Sequence, residues 1–91
     1  MRLDLFLKTS RLIKRRSIAR EACEKGSVMV NGLAAKPAKE VRQGDRIIVK
    51  FSSRVLELEI LEEYQAASRT LPPKELYRVL SETRVPKNRE L

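Results

Sequence analysis

The sequence predicts an α+β fold, a two-helix hairpin packed on a small antiparallel sheet, with a further helix near the C-terminus. Three observations lead there. Apolar residues recur at helical spacing in the first 25 residues. An Asn31-Gly32 pair then follows a β-prone run, and two alternating segments fill residues 46–60.

The first helix is read from Arg2 to Ser10, where Leu3, Phe6 and Leu7 share one face. Asp4 precedes Lys8 by four residues, the favourable order for a helix pair; it either orients an arginine or pairs with Lys8 and serves the helix N-terminus, and the second role is the one expected. The second helix is read from Ser17 to Lys25, with Ser17 as N-cap, Ile18, Ala19, Ala22 and Cys23 facing inward, and Gly26 just beyond its end. Helices this short need something to pack on.

Ser27 to Val30 supplies the first strand, and Asn31-Gly32 the turn, because both turn positions require positive φ. The return segment from Leu33 to Lys36 stops at Pro37, which suits an edge. Ile47, Val49 and Phe51 alternate after the Gln43-Gly44-Asp45 turn. Leu56, Leu58 and Ile60 then alternate with Glu57 and Glu59, which form an acidic outer face. Residues 1–61 thus read as one domain with a sheet extension, and residues 62–71 as a linker. A helix over residues 72–85 opens at Pro72 or Pro73 and carries the stripe Leu76, Val79 and Leu80; residues 86–91 form a loose tail.

With 91 residues there is room for one modest core. The net charge of +8 is unevenly placed: residues 1–50 carry thirteen Lys/Arg against five Asp/Glu, and residues 51–91 carry seven against seven. From Leu5 to Arg20, Lys8, Arg11, Lys14, Arg15, Arg16 and Arg20 stand with no acidic residue among them. A one-sided basic block inside a folded pattern points to a polyanionic partner, namely nucleic acid. On a helical hairpin Lys8 and Arg11 lie at i, i+3, and Arg11 and Arg15 at i, i+4, with Lys14 and Arg16 at the junction. Arg2 is either an RNA contact or a solvated terminus. Lys36 and Lys39 either extend the footprint or are plainly solvated. No aromatic interleaves with these residues, which favours phosphate and shape recognition of structured RNA over base stacking.

Other chemistries find little here. There is no histidine and a single cysteine, so neither a metal site nor a disulfide is expected, and Cys23 reads as a small core residue. The three glycines fall at turns rather than in a phosphate loop, so no cofactor is expected. Neither a signal peptide nor a membrane span is visible, and the chain reads as a cytoplasmic, non-enzymatic protein.

Several short motifs fall in one order: Arg2-Leu3-Asp4 with Phe6-Leu7, Arg16-x-x-Ala19, Gly26, Val28-x-Val30-Asn31-Gly32, and Gly44-Asp45 with Ile47 and Val49. This set, spanning residues 2–50, resembles the S-four (αL) RNA-binding domain. Many members have Ser-Arg where this chain has Arg15-Arg16, so a serine contact does not carry over. Lys14-Arg15-Arg16, Lys36-Pro37-Ala38-Lys39 and the short chain narrow the likeness to the stand-alone S-four proteins of ribosome rescue, the fifteen-kilodalton heat-shock group and the RqcP-like group. The resemblance implies a hairpin whose basic face docks on folded RNA; the candidate contacts are Arg2, Lys8, Arg11, Lys14, Arg15, Arg16 and Arg20, with Lys36 in the loop beyond. It further implies large-subunit rRNA and peptidyl-tRNA as partners on the large ribosomal subunit, beside an RqcH-like tailing factor that adds C-terminal alanines without mRNA. Off the ribosome a monomer is expected. The residues by themselves also admit a constitutive ribosomal protein or a general RNA chaperone.

Overall fold

A computed structural model describes residues 1–61 and 76–84. Helix α1 (Leu3–Thr9) and helix α2 (Arg16–Glu24) are followed by strands β1 (Val28–Val30), β2 (Leu33–Ala34), β3 (Arg46–Lys50), β4 (Arg54–Ile60) and β5 (Tyr77–Arg84). The strands form one antiparallel sheet in the order β2-β1-β3-β4-β5. Leu3, Phe6 and Leu7 of α1 and Ala19 and Cys23 of α2 are buried in one cluster with Val28 and Val30 of β1 and Ile47 and Val49 of β3. The alternation on β4 continues that core through Leu56, Leu58 and Ile60.

Helix α1 has no side chain capping its N-terminus. Two of its first-turn N–H groups are satisfied instead by a distant loop: Leu3 N–H donates to the Lys39 carbonyl at 2.8 Å and Asp4 N–H to the Pro37 carbonyl at 3.1 Å. Lys36 to Val41 therefore acts as the cap of the first helix, and Val41 N–H closes the arrangement on the Met1 carbonyl at 2.9 Å. This loop fixes where the hairpin begins.

The Asn31-Gly32 turn is as read, with φ of 51° and 88°. Asn31 does more than turn the chain. Its side-chain oxygen accepts from Arg46 N–H at 3.0 Å, and its amide donates to Asp45 at 3.2 Å. Asp45 in turn accepts from Arg42 N–H at 3.0 Å. The Val-Asn-Gly and Gly-Asp motifs, separate in sequence, are thus one hydrogen-bonded clip between two turns.

Three sequence expectations are corrected. Helix α2 starts at Arg16, one residue early; Arg15 is the N-cap position with extended backbone, and no side chain caps it. Ile18, expected inside, is 48% exposed. The third correction is larger: Tyr77–Arg84 lies in a strand, where a helix over 72–85 was expected. The outer edge of β4 needs a hydrogen-bonding partner, and Tyr77, Val79 and Thr83 suit a strand. Arg78–Glu59 at 2.7 Å and Arg54–Glu82 at 3.1 Å support the pairing across strands. The helix-like spacing of Leu76, Val79 and Leu80 has a different origin. Leu76 is buried at the strand's entry, while Leu58 pairs with Val79 and Glu57 with Ser81, so Leu80 is the extra residue of a bulge. The expected linker (62–71), the opening of the expected helix (72–75) and the tail (86–91) lie outside the described residues.

Gly32 offers a test of the clip. No atom lies within 4 Å of a Cβ built there, so the cost of Gly32→Ala comes from its positive φ alone. The substitution should destabilise by about 1 kcal/mol, read as a lower urea midpoint at unchanged m-value.

Candidate nucleic-acid interface

All eight basic residues singled out in the sequence have exposed side chains: Arg2, Lys8, Arg11, Lys14, Arg15, Arg16, Arg20 and Lys36. The structure sorts them into three places. Arg2, Arg16 and Arg20 line one surface cavity of about 400 Å³ with Asp4 and Ser17. Arg11, Lys14 and Arg15 belong to the connector between the helices, and Lys8 is in the last turn of α1. Lys36 sits beyond β2 on the capping loop, lining a separate cavity with Lys39 and Leu33.

The connector does not continue the helix. Ser10 is the C-cap of α1, with its hydroxyl donating to the Leu7 carbonyl at 3.2 Å. Arg11 follows with φ of 63°, the left-handed conformation usual for glycine at that position. The helical spacings expected of Lys8, Arg11 and Arg15 therefore do not hold. The chain turns at Arg11 instead, and Leu12 and Ile13, packed against the core, anchor the connector beneath its cations.

Asp4 is the residue that the sequence reading misplaced. Its side chain is fully buried and bonds neither Lys8 nor a helix N–H. Arg2 grips it in bidentate fashion, Nε to Oδ1 at 3.2 Å and Nη2 to Oδ2 at 3.1 Å. Arg16 Nη2 reaches the same Oδ1 at 3.5 Å, from twelve residues away. One buried carboxylate thus joins the start of α1 to the start of α2. Burial opposes its charged form, but hydrogen bonds and charge from Arg2 and Arg16 outweigh that and hold its pKa below the ordinary aspartate value. A useful signal was present in the sequence: Asp4 is the one acid ahead of a long acid-free basic block, on the same helical face as Leu7.

Cys23 is buried against the sheet, and burial, with the nearby charges of Asp4 and Glu24, pushes its thiol up to about 11. A thiol so protonated is a packing group, not a nucleophile. Among the described residues no cluster of three metal-ligating side chains occurs, and no helix is long and apolar enough to cross a membrane.

The S4 domain matches residues 1–47, which take in the hairpin, the capping loop and the clip. The chain belongs to the S4 domain family of RNA-binding proteins. Strand β4 and strand β5 lie beyond that match. Over 89 residues the chain is 40% identical to the "RQC P-site tRNA stabilizing factor" of Listeria innocua, covering 98% of this chain and 96% of that one. A protein of the same name from Streptococcus pneumoniae is 38% identical, covering 97% and 99%. Among solved structures, the trimeric heat shock protein 15 of Vibrio cholerae superposes with a TM-score of 0.77 at 35% identity, covering 89% of this chain and 82% of that one.

The Asp4 contacts predict a particular acid response. A carboxyl whose folded pKa is lowered contributes stability that is complete above its unfolded value, about 3.9, and lost as pH falls through the folded value. The difference in melting temperature between wild type and Asp4→Asn should therefore be steady near neutrality and shrink below about pH 4. A difference that stays constant down to pH 2 would show that the carboxylate is not charged and paired as described.

Proposed function

We propose that this protein is an rRNA- and tRNA-binding factor of ribosome quality control. It docks on obstructed large ribosomal subunits that carry peptidyl-tRNA and supports mRNA-independent C-terminal alanine tailing beside an RqcH-like factor. It acts in the cytoplasm without catalysis and without a cofactor, as a monomer when off the ribosome. The observation that carries the reading is the basic hairpin itself, an acid-free run of exposed cations from Lys8 to Arg20 on α1, the connector and α2. The near-full-length likeness to proteins named for stabilising P-site tRNA in ribosome quality control supports the choice among RNA-binding roles.

Arg2, Lys8, Arg11, Lys14, Arg15, Arg16, Arg20 and Lys36 are the proposed RNA contacts. Guanidinium groups bind phosphate through paired N–H donors, and lysines add point charge. Low aromatic content, 4%, leaves little stacking surface, so recognition rests on phosphate geometry and the shape of folded RNA.

Salt and one arginine test this reading. If about five or six cations neutralise phosphates, the log–log salt dependence of binding to purified large subunits should have a slope on the order of −4 to −5. Arg16→Ala should weaken co-sedimentation with those subunits by about 1–3 kcal/mol, and Arg16→Glu by more. Arg54→Ala, on the far strand, should change it little. A slope near zero, or equal binding by folded Arg16→Ala and Arg54→Ala proteins, would place the RNA elsewhere.

A further inference from the structure

A surface meant to attract phosphate gains nothing, by simple charge counting, from a carboxylate. Yet Asp4 bonds two of the cations of this face and cancels part of their charge. A purely structural account has Asp4 stabilise α1, but its oxygens meet no N–H of that helix and no Lys8. They meet the two arginines that open onto the cavity shared with Ser17 and Arg20. Both arginine side chains stay partly open to solvent, at 44% and 45% exposed, while the carboxylate between them is at 0%. Among the described residues, Nη1 of Arg2 and Nε and Nη1 of Arg16 have no hydrogen-bond partner. Each guanidinium is therefore held from behind and free in front.

We propose that Arg2, Arg16 and Arg20 form a seat for one phosphodiester of folded RNA, and that Asp4 is a positioning residue that holds Arg2 and Arg16 ready for it. The inference rests on the RNA-binding reading above and deepens it. The cavity, about 400 Å³, is many times the roughly 30 Å³ of a water, so a phosphate and part of its sugar enter. With Asp4 charged, the three arginines keep a net charge of about +2, enough for a phosphate monoanion, and no second acid lines the cavity. Long arginine side chains lose rotamer freedom when they bind; anchoring two of them on a buried carboxylate moves that loss from the binding step to folding.

The consequence runs against charge counting. Asp4→Asn adds one positive charge to the RNA-binding hairpin, yet should bind purified large subunits roughly tenfold more weakly, because two arginines must now be ordered on binding. Glu24→Gln adds the same charge to the same hairpin, on α2 and away from the cavity, and should bind as well as wild type or better. If Asp4→Asn binds as tightly as Glu24→Gln, the positioning role is overturned while the RNA-binding reading stands. If wild type itself shows no salt-dependent binding to the subunits, that reading fails and the seat with it. Should Asp4→Asn not fold, as judged by its thermal melt, Arg2→Lys and Arg16→Lys decide the matter. These keep net charge but lose the planar fork, so each should bind several-fold more weakly, whereas Arg42→Lys should not. Binding by all three lysine variants equal to wild type would overturn the proposal.

Discussion

The buried carboxylate of Asp4 is the interaction on which the helical hairpin depends. Taking an ionised aspartate out of water is costly, and this one is stable because two guanidinium groups complete its hydrogen bonding. The geometry imposes order in return. Arg2 precedes α1 and Arg16 opens α2, so the shared carboxylate fixes how the two helices start relative to one another. Had Asp4 paired with Lys8 along one helix, it would have added a few tenths of a kcal/mol to α1 and nothing to the hairpin. Bridging the two helix starts makes the same residue a tertiary constraint.

That constraint is itself anchored by backbone. The N–H groups of Leu3 and Asp4 are held by the carbonyls of Lys39 and Pro37, so the loop carrying Lys36 and Lys39 is built into the start of α1. The loop's far end leads into the turn at Gly44-Asp45, which Asn31 clips to the β1–β2 turn. From Asp4 to Asn31 two sets of hydrogen bonds, at the capping loop and at the clip, are joined by the short run of backbone between Val41 and Arg42. This explains why several of the motifs that mark the family lie far apart in sequence: Arg2-Leu3-Asp4, Asn31-Gly32 and Gly44-Asp45 each supply a link, and none suffices alone.

Much of this was legible in the sequence, and the failures have physical causes. The apolar faces of α1 and β4 and the positive-φ turn at Asn31-Gly32 announce themselves because burial periodicity and steric restriction act locally. The basic block was equally plain, since charge needs no fold to be counted. Asp4 was misread because the i, i+4 rule knows about Lys8 and cannot know that Arg16, twelve residues on, will return to the same oxygen. Arg11 was misread because a helical spacing says nothing of a left-handed residue that interrupts it. β5 was misread because a bulge sets Val79 and Leu80 side by side on an exposed edge, and adjacent apolar residues preceded by Leu76 imitate a helical stripe.

The neutrality of the second half then acquires a purpose. Strands β4 and β5 carry as much charge per residue as the hairpin, but they pair it: Arg78 with Glu59 and Arg54 with Glu82, with Arg54 also lying over the Phe51 ring at 4.8 Å. Exposed pairs of this kind add little stability, at about 0–1 kcal/mol each. Their larger effect is on the field. Cations matched locally project little potential beyond a Debye length, about 8 Å at physiological salt, whereas Lys8, Arg11, Lys14, Arg15 and Arg20, which have no acidic partner among the described residues, project theirs outward. A polyanion approaching the protein is therefore drawn to one end of it, and the sheet extension supports that end without competing for the ligand. Within the hairpin the logic is inverted at one point: Asp4 gives up some attraction at long range to fix geometry at short range. On the proposed reading, steering and seating are divided between different arginines, with Arg11 and Arg15 on the open connector and Arg2 and Arg16 held at the carboxylate.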